Sequence, residues 1–296
     1  MKKILISGGS GMIGRAVTSL LQKDGYEVAW LSRHPKKQKQ KSFLWDIDKH
    51  TLDEEALPWC DAIIHLAGAG VADKRWTEKR KQQILESRIH SSRLLFEAIQ
   101  KQAKRPQVFL SASAVGYYGF DTGGELIHEE SPPGTDFLAE VVSEWESEVL
   151  KVQTLGIRTV LLRTGIVLDK KGGALAEMLK PPVAAPLGRG SQYMSWVHLD
   201  DLAELYHYAL RHPLKGTYNA VAPHPVTNKQ LTQLAAKEKG RPFLPLPVPG
   251  FLLRMVLGEM AQMVTGGSKV SSRKIEKEGF TFQFPYIKEA LEDIYK

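Results

Sequence analysis

Three glycines, Gly8, Gly11 and Gly14, stand between a short apolar strand, Lys3–Ser7, and a helical pattern carried by Ala16, Val17, Leu20 and Leu21. Their spacing suits the binding of a pyrophosphate. Gly8 permits a sharp strand-to-helix turn, Gly11 lets backbone N–H groups approach an anion, and Gly14 lets helix and strand pack closely. Met12 and Ile13 lie on the same turn and are expected on the cofactor side with them. The positive end of the helix then holds the phosphates. A glycine-rich turn that serves packing alone is the competing reading, and the strand before it and the helix after it weigh against that.

The second strand, Glu27–Leu31, ends in Ser32-Arg33. Dinucleotide folds that take NAD place Asp or Glu here to accept the ribose hydroxyls, and a carboxylate would repel a 2′-phosphate. A hydroxyl followed by a guanidinium suits that phosphate, which the planar fork of arginine grips with two hydrogen bonds. The expected cofactor is therefore NADP(H), the alternative being Arg33 as a solvated charge. Lys36, Lys37, Lys39 and Lys41 follow, and no more than one of them is expected to touch a phosphate.

Composition narrows the partners. The chain has 296 residues and a formal net charge of +7, which a phosphate-rich ligand explains in part. No dense basic stripe interleaved with aromatics points to nucleic acid. The one cysteine, Cys60, excludes an intrachain disulfide and reads as a small apolar filler. The histidines are scattered, and no cluster has metal-ligand spacing. No apolar run approaches the ~20 residues of a membrane span, and the first strand starts too close to Met1 for a signal peptide. A cytoplasmic protein acting on a small molecule is expected, with no nucleic acid and no membrane as partner.

These groups need a frame to hold them. Strand Phe43–Trp45 ends in Asp46, which is expected on the cofactor side, and strand Ala62–Leu66 is closed by Ala67-Gly68-Ala69-Gly70, small residues that let a cofactor lie against the backbone. A helix from about Glu78 to Gln102, a strand Val108–Ser111, a helix from about Asp136 to Thr154 and a strand Thr159–Arg163 continue the alternation. Strands alternating with helices imply right-handed crossovers and an α/β fold with a Rossmann-type doubly wound parallel sheet, whose ligands lie at the carboxyl ends of the strands. The NADP-binding Rossmann domain is expected over residues 1–170, with segments of about 191–222 returning to it. Residues 171–296 should form mainly a smaller C-terminal substrate-side lobe. Its last segment, about 245–296, carries Phe251, Leu252, Met255, Val256, Leu257, Met260 and Met263, which read as a buried helix.

Gly8-x-x-Gly11-x-x-Gly14, His65-Leu66-Ala67-Gly68, the serine-bearing strand end before Tyr118-Gly119, Leu162-Arg163-Thr164-Gly165, the run Ser195–Ala203 and Gly216-Thr217-Tyr218-Asn219 occur in that order along nearly the whole chain. Together they resemble the extended short-chain dehydrogenase/reductases, which include sugar-nucleotide epimerases and dehydratases. Asp73–Thr77, Glu86-Ser87-Arg88, Phe137–Val141 with Trp145-Glu146, and Leu257–Met260 are similar to an atypical branch, the "NAD-dependent epimerase family protein" group, which carries a short C-terminal domain of unknown function.

The resemblance implies a proton-transfer set of Asn, Ser and Tyr with Lys four residues on, the Lys lowering the Tyr pKa. Counted from Trp145-Glu146, the Tyr position falls on Leu138, the Lys position on Val142 and the Asn position on Arg88, so that only Ser113 is retained. It also implies backbone contacts from Leu66 and Ala67 to the cofactor and places Arg163 at the cofactor side. Arg88 is expected to face the ribose or phosphates, the alternative being a surface helix charge. If chemistry survives, Ser113 and Tyr117 are the expected catalytic residues, with Tyr118 an equal candidate and an aromatic wall for the nicotinamide the competing role for both tyrosines. Lys74 and Arg75, with Trp76, read as a flap over the substrate, as a grip on an anion, or as the lead into a helix capped by Thr77, and Asp200 and Asp201 read as helix-start capping residues.

The expected function is thus an NADP(H)-dependent oxidoreductase or epimerase-like activity on a small carbonyl, hydroxyl or nucleotide-linked compound. The competing class is a non-catalytic NADP(H) sensor, motivated by Leu138 and Val142.

Overall fold

Apolar strands as short as four residues and apolar on both faces belong inside a covered sheet. The computed structural model describes residues 1–170 and 172–296. Its strands are β1 Lys3–Ser7, β2 Glu27–Ser32, β3 Ser42–Asp46, β4 Thr51–Leu52, β5 Ala62–His65, β6 Val108–Ala114, β7 Leu126–Ile127, β8 Arg158–Thr164, β9 Ile166–Leu168, β10 Tyr193–Met194, β11 Trp196–His198, β12 Gly216–Ala220, β13 Val226–Thr227 and β14 Lys269–Val270. Eight of them make one sheet in the order β12-β8-β6-β5-β1-β2-β3-β4. All neighbours are parallel except β3 and β4. The chain runs outward in both directions from β1, so the order reverses between β1 and β5, and a crevice opens at their carboxyl ends.

The helices are α1 Met12–Lys23, α2 Ala56–Trp59, α3 Glu78–Gln100, α4 Phe137–Leu150, α5 Gly173–Met178, α6 Leu199–Arg211, α7 Asn228–Glu238, α8 Gly250–Leu257, α9 Ala261–Thr265, α10 Arg273–Lys277 and α11 Ile287–Tyr295. The two-residue period of a strand sorts its side chains between the faces. Ile4 and Ile6 pack with Val17 and Leu21 of α1 and Leu202 and Leu205 of α6. Leu5 and Ile63 point the other way, to Leu94 and Leu95 of α3 and Trp145 and Val149 of α4. Thr77 caps α3 by accepting the Arg80 N–H at 3.2 Å, and Asp136 caps α4 by accepting those of Leu138 and Ala139 at 3.1 Å. Among the described residues no helix is long and apolar enough to cross a membrane.

Two sequence expectations are corrected here. Asp201 does not cap α6, whose N-cap is His198. Its buried carboxylate accepts the backbone N–H groups of Gln283 at 2.7 Å and Phe284 at 3.0 Å, and so ties the C-terminal tail to the start of α6. The helix expected to be buried near residue 250 is exposed. Phe251, Met255 and Val256 are each about two-thirds accessible or more, at 67%, 71% and 70%. The apolar run is broken at Gly258, where φ is +63°, so α8 ends after two turns, and its last residue, Leu257, and the residues beyond it turn inward. Leu257, Met260 and Met263 join Trp76, Val71 and Phe120 in a separate apolar cluster.

Candidate functional site

The crevice at the switch point is a cleft of about 590 Å³. Helix α1 opens on it at Gly11 with no side-chain cap and no acidic residue in its first turn, so its first N–H groups and positive end are open to an anion. Gly8 has φ of +72°, and a Cβ there would stand 2.9 Å from the Leu66 carbonyl. A Cβ on Gly14 would strike Gly8 O and the Gly9 backbone. The cradle exists because these positions lack side chains.

The floor of the cleft is set by a buried polar hub. Ser7 Oγ accepts the N–H groups of Leu66 at 3.1 Å and Ala67 at 3.3 Å. Its own proton therefore goes to His65 Nδ1, 2.6 Å away, which leaves Nε2 as the N–H facing Ser91 and Ser92, both at 3.2 Å. Burial, with Arg88 nearby, lowers the His65 pKa to about 3, so the ring stays neutral. Gly8, Gly11, Ser32, Arg33, Leu66, Ala67 and Gly68 all line this cleft. The sequence reading had not singled out Trp30, Gln83, Ser87 and His90, which line it too. Arg15, Lys37 and Lys39 line a shallower pocket that shares Ser10, Trp30 and Gln38 with the cleft. The signal for Arg15 was its place in the first turn after the glycines.

Other expected cofactor residues lie off the cleft lining. Ile13 packs against the core on the α1 side, and Met12 reaches toward Gly173. Gly14 is buried under the turn. Asp46 turns away to accept the N–H groups of Asp48 at 3.1 Å and Lys49 at 3.2 Å, while its neighbours Trp45, Ile47 and Asp48 face the cleft. Arg163 is the clearest correction. Its guanidinium is buried against Glu146 with two hydrogen bonds of 2.8 Å, and Nη1 also reaches Tyr118 Oη at 3.0 Å and Glu129 O at 3.1 Å. A side chain so fully engaged has no fork left for a cofactor.

A second cavity has a volume of about 240 Å³. Leu138 and Val142, which the resemblance set at the Tyr and Lys positions, face it together with Trp145 and Arg88. Ser113 and Tyr117 do not line it. The Ser113 hydroxyl donates to Glu146 Oε1 at 2.5 Å, and the Tyr117 ring covers the Arg163 guanidinium at 3.4 Å. Tyr118 donates to Asn219 Oδ1 at 2.7 Å, and burial pushes its pKa up to about 12. These groups form one buried network behind the cavity wall. Arg88 and Tyr193 are the titratable residues on the lining itself.

The chain matches known proteins over nearly its whole length. Residues 4–221 match the family described as "NAD dependent epimerase/dehydratase family". The chain belongs to that family. Residues 248–294 match a domain of unknown function, DUF1731. Among relatives within the family, epimerase family protein YfhF of Bacillus subtilis is 36% identical over 297 residues, covering 98% of this chain and 97% of its own. Epimerase family protein SDR39U1 of Mus musculus is 36% identical over 300 residues, covering 99% of each. The crystal structure of human SDR39U1 isoform 2 with NADPH superposes with a TM-score of 0.88 at 31% identity, over 99% of each chain. The family likeness thus covers the Rossmann-like sheet and the C-terminal segment alike.

Proposed function

We propose that this chain is an NADP(H)-dependent oxidoreductase whose substrate is a small carbonyl or hydroxyl compound held in the second cavity. The observation that carries the cofactor choice is the end of β2, where Ser32 and Arg33 face the cleft in the position a carboxylate takes in NAD-selective folds. Arg15, Lys37 and Lys39 beside it add positive charge suited to a 2′-phosphate. The human relative holds NADPH.

On this reading the open end of α1 and the turn Gly8–Gly11 bind the pyrophosphate, and Ser32 and Arg33 bind the 2′-phosphate. The backbone of Leu66, Ala67 and Gly68 orients the middle of the cofactor. When bound, the cofactor supplies or accepts hydride. Leu138, Val142 and Trp145 wall the reacting end and keep water from it. With Ser113 engaged by Glu146, the proton at the substrate oxygen falls to Tyr193 on the same lining.

The sensor reading rests on one specific observation, the apolar Leu138 and Val142 at the usual proton-transfer positions. Fluorescence titration with NADPH and NADH, with Arg33→Asp alongside, tests the cofactor assignment. A preference for NADPH of about tenfold or more that vanishes in the variant supports it, and equal binding of both overturns it. Oxidation of bound NADPH by any of a panel of small carbonyls separates enzyme from sensor.

A further inference from the structure

Arg88 brings a charge to the second cavity that the protein does not answer. Both of its hydrogen bonds, to Ala69 O and Ile84 O at 3.0 Å, go through Nη1. Among the described residues no carboxylate pairs with it. Burial, with the like charge of Arg80 adding to it, lowers its pKa to about 10. Its guanidinium lies over the Trp145 indole, 5.2 Å from the ring centre. Trp145 is itself only 5% exposed, and its indole N–H is buried with no hydrogen-bond partner.

Both residues line the same cavity. A buried N–H without an acceptor and a guanidinium without a counter-ion are each costly, and one anionic oxygen pair relieves both. Much of the rest of the wall is apolar, with Val71, Phe120, Leu138, Val142 and Met263, and Thr164, Tyr193, Ser195 and Ser268 complete it. At about 240 Å³ the space lies below the usual range for drug-sized ligands, which leaves room for a ring or branched alkyl group and not for a nucleoside diphosphate sugar.

We propose that the second cavity selects a small apolar monocarboxylate, its carboxylate held between the Arg88 guanidinium and the Trp145 indole N–H. The inference builds on the oxidoreductase reading by naming the substrate class of its second cavity. A cofactor phosphate is the other anion that Arg88 could serve, and the test separates the two.

The experiment is calorimetric titration of the full chain saturated with NADP⁺, using phenylpyruvate, phenylacetone and UDP-glucose. Phenylacetone keeps the ring and ketone and replaces the carboxylate by methyl. Phenylpyruvate should bind at least about tenfold more tightly than phenylacetone. Arg88→Met should erase that preference while leaving NADP⁺ affinity within about twofold, Arg88→Lys should retain part of it, and Trp145→Phe should weaken phenylpyruvate roughly fivefold. Equal binding of the two ketones, no binding of phenylpyruvate, or tighter binding of UDP-glucose would overturn the proposal. So would an Arg88→Met variant, folded by circular dichroism, that loses NADP⁺ about tenfold and keeps the carboxylate preference. If wild type fails to bind NADP⁺, the cofactor reading falls, and the same ligand pair titrated into the unloaded chain still decides the carboxylate site.

Discussion

Glu146 and Arg163 meet with both carboxylate oxygens engaged at 2.8 Å, and their side chains are only 7% and 5% exposed. The Ser113 hydroxyl binds the same carboxylate. The one retained member of the usual catalytic set is therefore part of a structural ion-pair network that joins β6, α4 and β8.

Breaking that pair from one side leaves a buried charge alone. Glu146→Gln should cost about 3–5 kcal/mol of stability, read from urea unfolding, with the cofactor affinity of the folded fraction unchanged. Adding Arg163→Met should recover part of the loss, because the stranded cation is gone. Ser113→Ala should cost only about 1 kcal/mol. A catalytic Ser113 would instead show as a large loss of turnover at nearly full stability.

The glycine turn is held from outside by Trp30. The Trp30 indole N–H donates to Thr18 Oγ1 at 2.8 Å, whose hydroxyl donates to Gly14 O at 2.7 Å. A Cβ on Gly9 would land inside the Trp30 ring. Gly9→Ala should therefore destabilise by about 1–3 kcal/mol and weaken NADPH binding, as overpacking does. Trp30→Leu should rescue it by making space. Gly14→Ala should not be rescued by Trp30→Leu, because there the added carbon meets backbone. Paired thermal melts and NADPH titrations read both effects.

His65 makes the fold sensitive to acid. Its folded-state pKa of about 3 lies below its ordinary 6.5. Above pH 6.5 the ring is neutral in both states and contributes no pH dependence. Below that, the unfolded chain takes up a proton that the folded chain refuses, so stability is lost at about 1.4 kcal/mol per pH unit down to about pH 3. Compared with His65→Gln, wild type should lose roughly 2.5 kcal/mol more stability between pH 6 and pH 4. Equal pH slopes for the two proteins would mean that His65 is not held neutral.

Much of the cleft was legible because it is made of neighbours along the chain. A strand, a glycine turn and a helix start are local, and so is the Ser32-Arg33 ending of β2. Apolar strands alternating with helices were enough to indicate the sheet, since a strand apolar on both faces must be covered on both.

What the sequence alone determined, then, is the glycine turn and the parallel sheet, each set by residue type and short-range spacing. Only the tertiary structure decided where the charges went. Arg163 stands at the carboxyl end of a sheet strand, where a cofactor contact was a fair expectation, yet the packing of α4 over the sheet puts Glu146 beside it. The same packing of α4 against α3 sets Trp145 under Arg88. Exposure of Phe251 and Met255 was likewise decided by the turn at Gly258, because burial depends on what a helix meets and not on how apolar it is.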